Sequence, residues 1–242
     1  MVTLNSDMGE NFGIHSFGND DALVPLVDTI NVACGFHSGD PVSMRETVAK
    51  ALAGGVSIGS HPGLPDLVGF GRREMKLLPE EAADIVRYQT GALVAFLDAA
   101  GTRLDHIKAH GSLYGMSSKD AELAEAITGV AADYGVPIFG IPNSEHERAA
   151  TKLGVPFVAE FYVDLKYRSD GSLLVARRPH ATPVDEARER AIRALRDGIA
   201  ISDDGKEFPI RVDSVCVHSD TPNAIEIATT VRDVLTQLDL AA

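Results

Sequence analysis

Ionisable side chains follow the apolar segments of this chain at regular intervals. The stretch INVACGFHSGDP (30–41) is apolar through Val32 and Ala33 and then presents His37 and Asp40. The same pattern closes other apolar segments, with Asp7 and Glu10, then His61, then Lys108, His110 and Tyr114, then Glu160 and Asp164, and finally His218 and Asp220. Imidazoles, carboxylates and amines perform general acid–base catalysis and hold anionic substrates or metal ions. The pattern therefore indicates an enzyme site assembled from many segments.

Strand and helix patterns alternate along the sequence. Apolar and β-branched runs predict strands at 2–6, 29–34, 56–60, 104–109, 136–141, 156–161 and 212–217. Helical periodicity predicts helices at 41–54, 79–100, 118–134, 144–153, 183–200 and 222–238. Such alternation favours parallel pairing through right-handed crossovers. We expect an α/β fold, a TIM-like (β/α) barrel of seven or eight strands with seven preferred, and an open doubly wound sheet is the alternative.

One segment interrupts this alternation. In YRSDGSLLVARR (167–178), Asp170 and Gly171 are typical of a tight turn, so we expect an inserted hairpin near 163–178. No linker or low-complexity stretch divides the 242 residues, a length that suits one α/β barrel. We predict one domain over 1–242.

The composition bears on partners and location. A formal net charge of -13 and a pI near 5.0 disfavour nucleic acid and anionic membrane surfaces as partners. No apolar run is long enough to cross a bilayer, and the first residues lack a secretory leader pattern. Two cysteines far apart in sequence, Cys34 and Cys216, fit a reducing compartment. We expect a cytoplasmic protein.

The carboxyl ends of the strands position the ionisable groups. In barrels and doubly wound sheets, the loops at these ends build the active site. Any single histidine there is compatible with a structural, hydrogen-bonded role, but the recurrence of such groups after all but one predicted strand favours function. Lys108 and His110 share one face of their strand, and a buried Lys108 requires an anionic partner, either Glu160, Asp164 or a substrate group.

Several chemistries remain open from the residues alone. Cys34 ends an apolar strand, which favours a packed thiol over a nucleophile. Three histidines from separate strands with Asp7 could form a catalytic metal site, although the compact HExxH signature is absent and no metal is assigned. The sequence has neither GxxxxGK[ST] nor GxGxxG. GFGRRE (69–74) is either a phosphate or carboxylate binding loop, through Arg72 and Arg73, or a solvated basic loop.

The chain also resembles a known family over nearly its whole length. The stretches that carry the resemblance are, in order, SDMGE, INVACGFHSGDP, GSHPGLPDLVGFGRREM, YQTGAL, IKAHGSLY, AEFYVDLKY, GSLLVARR and VCVHSDTP. Together they are similar to the LamB/YcsF family of 5-oxoprolinase A subunits.

The resemblance implies a barrel of the glycoside hydrolase/deacetylase type and ATP-dependent opening of 5-oxoproline to glutamate. ATP, with Mg²⁺, is the implied cofactor, and a small lactam is the implied substrate. B and C subunits of the allophanate-hydrolase type are the implied partners.

The resemblance also carries over site residues, position by position. The residues that it implies to be catalytic are Asp7, His37, His61, Lys108, His110, Glu160 and Asp164. The residues that it implies to bind substrate or phosphate are Glu10, Asn31, Asp40, Arg72, Arg73, Gln89, Tyr114, Arg178, His218 and Asp220. In this assignment the histidines act as acids, bases or polarising groups with Asp7 orienting one of them, and Glu160 and Asp164 orient Lys108 or activate water.

Some positions depart from the family pattern. The family usually reads KPHGALYN, whereas this chain has Ala109, Ser112 and Gly115. Leu165 stands where an arginine is usual, and Ser219 replaces a glycine. Because two polar groups beside the site are lost, the sequence leaves the identity of the cyclic amide open. Two other functions stay compatible with it, a metal-dependent deacetylase or amidohydrolase and a noncatalytic subunit that presents substrate.

Overall fold

The computed structural model describes residues 1–175 and 179–242, so the predicted site residue Arg178 lies outside the described residues. The strands are β1 (Thr3–Met8), β2 (Thr29–Ala33), β3 (Ser57–His61), β4 (Ile138–Gly140), β5 (Phe157–Tyr162), β6 (Lys166–Tyr167), β7 (Leu173–Leu174), β8 (Ile199–Ile201), β9 (Glu207–Pro209) and β10 (Ser214–Cys216). Six of them form a parallel sheet in the order β3-β2-β1-β10-β5-β4. The prediction of parallel strands is confirmed.

Helices cover the outside of this sheet. They are α1 (Asp20–Leu23), α2 (Pro41–Gly54), α3 (Pro79–Ala99), α4 (Gly111–Ser117), α5 (Ala121–Tyr134), α6 (Glu145–Leu153), α7 (Val184–Ile192) and α8 (Ala224–Gln237). Local signals set their ends. Asp120 accepts hydrogen bonds from the Glu122 and Leu123 N–H groups in the first turn of α5, and Gly135, at φ 66°, ends that helix in the left-handed conformation. No helix in the described part of the chain has the length and apolarity needed to cross a membrane.

The two edges of the sheet meet through one residue. Ile107 forms parallel bridges with Ser60 of β3 and with Ile138 of β4. The Lys108 N–H donates to the Ser60 carbonyl at 2.9 Å, and the Phe139 N–H donates to the Ile107 carbonyl at 3.0 Å. The sheet therefore closes as a TIM-like barrel, which confirms the predicted fold class. The strand predicted at 104–109 is reduced to this single bridging position.

Two hairpins leave the barrel. The predicted hairpin is confirmed as the antiparallel pair β6–β7, with Gly171 at φ 80° in its turn. A second antiparallel pair, β8–β9, was not predicted. The helix predicted at 183–200 was too long, because α7 ends at Ile192 and a π-helical turn at Arg193–Asp197 leads into β8. The sequence did hold a turn signal for this second hairpin, at Gly205 with φ 82°.

Candidate active site

Lys108 lies at the floor of the site, inside the barrel. Its side chain is 2% exposed, and its ammonium Nζ lies 2.9 Å from Asp7 Oδ1 and 3.0 Å from Glu160 Oε1. Nζ also lies 3.2 Å from the Cys216 sulfur and over the ring of Tyr162. Burial alone would lower the pKa of Lys108, but the neighbouring Asp7, Cys216 and Glu160 raise it well above its ordinary value. The ammonium is therefore a fixed positive charge.

Asp7, on β1, joins Lys108 to the histidines. Its Oδ1 accepts a hydrogen bond from Asn31 Nδ2 at 2.7 Å, and its Oδ2 lies 3.3 Å from His61 Nε2. Burial would raise the pKa of Asp7, but His61 and Lys108 outweigh that effect and hold the pKa well below its usual range. Asp7 is therefore a carboxylate that can orient an imidazole or accept a proton from one.

Glu160, on β5, is held by two tyrosines as well as by Lys108. Its Oε2 accepts hydrogen bonds from the hydroxyls of Tyr162 at 2.7 Å and Tyr114 at 3.2 Å. Burial raises the pKa of both tyrosines well above the ordinary value, and the charge of Glu160 raises it further. Both hydroxyls therefore stay protonated and act as donors that fix the carboxylate.

Three histidine rings pack together beside Asp7. The rings of His37 and His110 stack with centroids 3.6 Å apart, and His61 Nε2 lies 3.0 Å from His110 Nδ1. Burial lowers the pKa of His110 well below its ordinary value, and the neighbouring His37 and His61 lower it further. Glu10 completes the group, with Oε1 3.3 Å from His37 Nε2. Nitrogen or oxygen atoms of Glu10 and the three histidines lie within 4.8 Å of one another, an arrangement that could hold a metal ion.

Asp164 and His218 form a separate ion pair at the edge of the site. His218 Nδ1 lies 3.1 Å from both oxygens of Asp164, and His218 Nε2 lies 3.6 Å from Asp7 Oδ2. Burial would lower the pKa of His218, but Asp164 raises it above its ordinary value. Glu160 contacts Lys108 as the sequence analysis expected, whereas Asp164 is engaged with His218 instead.

A cavity of about 510 Å³ opens above these groups. Asp7, His61 and His110 form part of its inner wall, and the β6–β7 hairpin with residues 179–183 forms its outer wall. Among the described residues, the lysine and arginine side chains in the lining are Arg72, Lys108, Lys166 and Arg190. Arg72 pairs with Asp220 across the opening at 3.0 Å. The cavity therefore places a small ligand against carboxylates, imidazoles and cations at once.

Comparison with known proteins identifies the family of this chain. The sequence profile of the LamB/YcsF family matches residues 2–242. The chain belongs to the LamB/YcsF family. It is 45% identical over 240 residues to the lactam utilization protein lamB of Emericella nidulans, covering 98% of this chain and 94% of that protein.

Two further matches, one of sequence and one of structure, come from Thermus thermophilus. The 5-oxoprolinase A subunit of that organism is 45% identical over 240 residues, covering 98% of this chain and 96% of that protein. The crystal structure of a lactam utilization protein from the same organism superposes with a TM-score of 0.89 at 43% identity, covering 98% and 97% of the two chains. The family resemblance found in the sequence motifs is confirmed.

Not every residue carried over from the LamB/YcsF motifs reaches the cavity. Asp40 caps α2, accepting from the Val42 and Ser43 N–H groups, and its other oxygen accepts from the Gly13 N–H. Arg73 turns away to pair with Asp66. These two residues hold local structure because backbone or side-chain partners occupy their polar atoms.

Asn31 and Gln89 support the site from behind. Asn31 Nδ2 donates to both Asp7 and Asn5, and its oxygen lies 2.6 Å from His106 Nε2. Gln89 exchanges hydrogen bonds with the N–H and carbonyl of Gly63, in the loop that follows β3. The other described residues of the predicted set lie in the histidine group, in the cavity lining or, for Glu160, against Lys108 beneath the cavity.

Sequence reasoning missed three residues in contact with Lys108, of which Asn5, on β1, has its amide oxygen 3.5 Å from the ammonium. Tyr162 shares one face of β5 with Glu160, since residues two apart on a strand point the same way. Cys216 faces the barrel interior from β10 and contacts the ammonium. Period-two alternation along β5 could have identified Tyr162. Cys34, by contrast, is a buried thiol as expected, and burial raises its pKa to about 11.

Proposed function

We propose that this chain hydrolyses the lactam C–N bond of 5-oxoproline or a related cyclic amide, as the A subunit of a multi-subunit 5-oxoprolinase. Relatives that match it over nearly their whole length are named lactam utilization protein and 5-oxoprolinase A subunit. The observation that carries the proposal is the pairing of buried Lys108 with Asp7 and Glu160 beneath a cavity lined by imidazoles and cations. Amide hydrolysis needs such groups to activate water and to protonate the leaving nitrogen.

The residues of the site have different roles in the proposed hydrolysis, set by their positions around the cavity. Arg72 and Lys166 line the cavity and suit the carboxylate of the substrate or an added phosphate. Asp7 is a carboxylate of the cavity wall that lies in contact with His61, so it can accept a proton from water while the imidazole orients it. When water adds to the lactam carbonyl carbon, the carbonyl oxygen becomes negative, and the positive charge of Lys108 can stabilise it.

The proposal includes ATP, with Mg²⁺, and partner subunits. A five-membered lactam acid fills only part of a cavity of about 510 Å³, which leaves room for a phosphate-bearing group beside it. ATP supplies free energy to activate an unreactive amide carbonyl, while the residues of this chain bind and orient the lactam and handle its protons. B and C subunits of the allophanate-hydrolase type are the proposed partners, and the cytoplasm is the proposed location.

Glutamate release from 5-oxoproline tests the proposal. The purified chain is assayed with and without ATP and with and without candidate B and C subunits, alongside a panel of other lactams because of Gly115 and Leu165. Asp7→Asn is expected to lower kcat by about 100-fold or more, in line with the loss of a positioned acid–base group. Asp40→Asn, which keeps a capping side chain outside the cavity lining, is the matched control and is expected to stay within about twofold. If the chain assembled with B and C subunits and supplied with ATP turned over none of the lactams, the result would contradict the proposal.

A further inference from the structure

Two imidazole nitrogens face each other at the wall of the cavity with no positive group of the described residues between them. His61 Nδ1 lies 2.9 Å from the Lys108 carbonyl, and His110 Nε2 lies 2.7 Å from the Phe70 carbonyl. A carbonyl only accepts hydrogen bonds, so both of these far nitrogens carry hydrogen. In neutral rings the near nitrogens, His61 Nε2 and His110 Nδ1, then present lone pairs to each other at 3.0 Å. Such a contact repels unless a cation lies at it.

Buried carboxylate oxygens surround the same point. Glu10 is 2% exposed, and its Oε1 lies 3.8 Å from His110 Nδ1. Asp7 Oδ2 lies 3.3 Å from His61 Nε2. The one ammonium inside the barrel, among the described residues, is Lys108, which is already engaged with Asp7 and Glu160. Arg72, the cation whose charge acts on Glu10, pairs with Asp220 at 3.0 Å. Glu10 therefore has no lysine or arginine partner of its own among the described residues, and a cation beside it would stabilise its charged form.

We propose that His61 Nε2, His110 Nδ1 and Glu10 Oε1 bind a divalent transition metal ion of the zinc class. Bonds of about 2.0–2.1 Å at a tetrahedral or right angle place two nitrogens roughly 3 Å apart, as observed here. The carbonyls of Lys108 and Phe70 supply the hydrogen bonds that fix ligand tautomers in metal sites. Two histidines and one carboxylate leave coordination positions open, as catalytic zinc sites do.

His37 is assigned a positioning role. Its ring is stacked on His110 with an interplanar angle of 7°, so the in-plane lone pairs of the two rings lie in nearly parallel planes and do not converge on one ion. Its Nε2 lies 3.3 Å from Glu10 Oε1 and can donate to that carboxylate. His37 thus fixes the ring plane of His110 and the side-chain rotamer of Glu10.

The open positions face the cavity. His61 and His110 both belong to the cavity wall, together with Asp7 and Lys108. An ion held there would polarise the carbonyl of a bound amide. That use of the ion rests on the proposed lactam hydrolysis, whereas binding of the ion does not.

Metal binding is measured on the whole chain without lactam or ATP. The protein is stripped with a chelator, dialysed, and titrated with Zn²⁺, Co²⁺ and Mn²⁺, and bound metal is counted by plasma mass spectrometry. We expect one equivalent of Zn²⁺ or Co²⁺ and a Co²⁺ visible spectrum typical of nitrogen and oxygen ligands. His110→Ala and the isosteric Glu10→Gln are expected to weaken binding by at least about 10-fold to 100-fold. His180→Ala, at an exposed histidine of the cavity wall, is the matched control and should bind as the parent does.

Three results would overturn the site. These are less than about 0.1 equivalent of every metal at micromolar concentration, affinity unchanged in folded Glu10→Gln protein, and a nitrogen NMR spectrum that shows a proton shared by His61 and His110 in metal-treated protein. Anomalous diffraction from Co²⁺-loaded crystals decides the matter even if a variant fails to fold. Loss of lactam turnover with the ion in place would count against the proposed function and leave the metal site standing.

Discussion

Replacing Lys108 by methionine removes the positive charge between two buried carboxylates while keeping a similar volume. Asp7 retains His61 and His218 as neighbours after the change. Glu160 retains only the two tyrosine hydroxyls among its described contacts, so it is expected to take up a proton. Breaking a buried ion pair from one side costs about 3–5 kcal/mol.

The expected loss also depends on pH in a defined direction. A glutamate in an unfolded chain titrates near pH 4.3, so neutralising one at pH 7 costs about 3.7 kcal/mol. Between those pH values the folded variant holds one proton more than its unfolded state, and its stability therefore rises as pH falls. The deficit of Lys108→Met relative to the parent should shrink by about 1.4 kcal/mol per pH unit, to about 1 kcal/mol at pH 5.

Urea unfolding of chelator-treated protein at pH 5, 6 and 7 measures this deficit. Lys166→Met, at an exposed lysine of the cavity wall, is the matched control and is expected to change the free energy of unfolding by less than about 0.5 kcal/mol. Adding Glu160→Gln to Lys108→Met should restore part of the loss. A deficit below about 1 kcal/mol at pH 7, or one that is the same at all three pH values, would refute the reasoning.

Three further predictions concern groups around the site. Burial lowers the pKa of His146 to about 4, so the parent should lose up to about 3 kcal/mol of stability as pH falls from 6.5 to 4, and His146→Asn should flatten that dependence in urea unfolding. Because burial raises the pKa of Cys34 to about 11, its thiol should react with a disulfide reagent at pH 8 about 100-fold more slowly in native protein than in urea. Gly71→Ala places a methyl 2.8 Å from His110 at φ 63° and should lower the thermal midpoint more than Gly55→Ala, where φ is 68° and the space is open.

The convergence of the site could be predicted because the carboxyl ends of parallel strands meet at one end of a barrel. Asp7, His61 and Lys108 lie on different strands or bridges, yet each follows an apolar run that is evident in the sequence. Their mutual contacts depend only on strand order and on the two-residue period of side chains.

Competing local hydrogen bonds explain what could not be predicted. Asp40 precedes Pro41, and an aspartate before a first-turn proline also satisfies the pattern of a helix cap. Arg73 has a carboxylate partner seven residues earlier, in Asp66, and its adjacency to Arg72 does not reveal which of the two points inward. The reduced strand at Ile107 is set by distant edges of the sheet, which no local pattern encodes.

The bridges that Ile107 forms with β3 and β4 are the seam of the barrel, and closing this seam also brings the charged groups of the site together. Lys108, the next residue after the seam, reaches Asp7 on β1 and Glu160 on β5 across the barrel. A chain with the seam open would keep most of its parallel sheet, including β1 and β5 beside β10, but would separate Lys108 from Asp7 and Glu160. Forms with the seam open should therefore be inactive even when their helix content is nearly complete, because activity requires this one short segment to dock between β3 and β4.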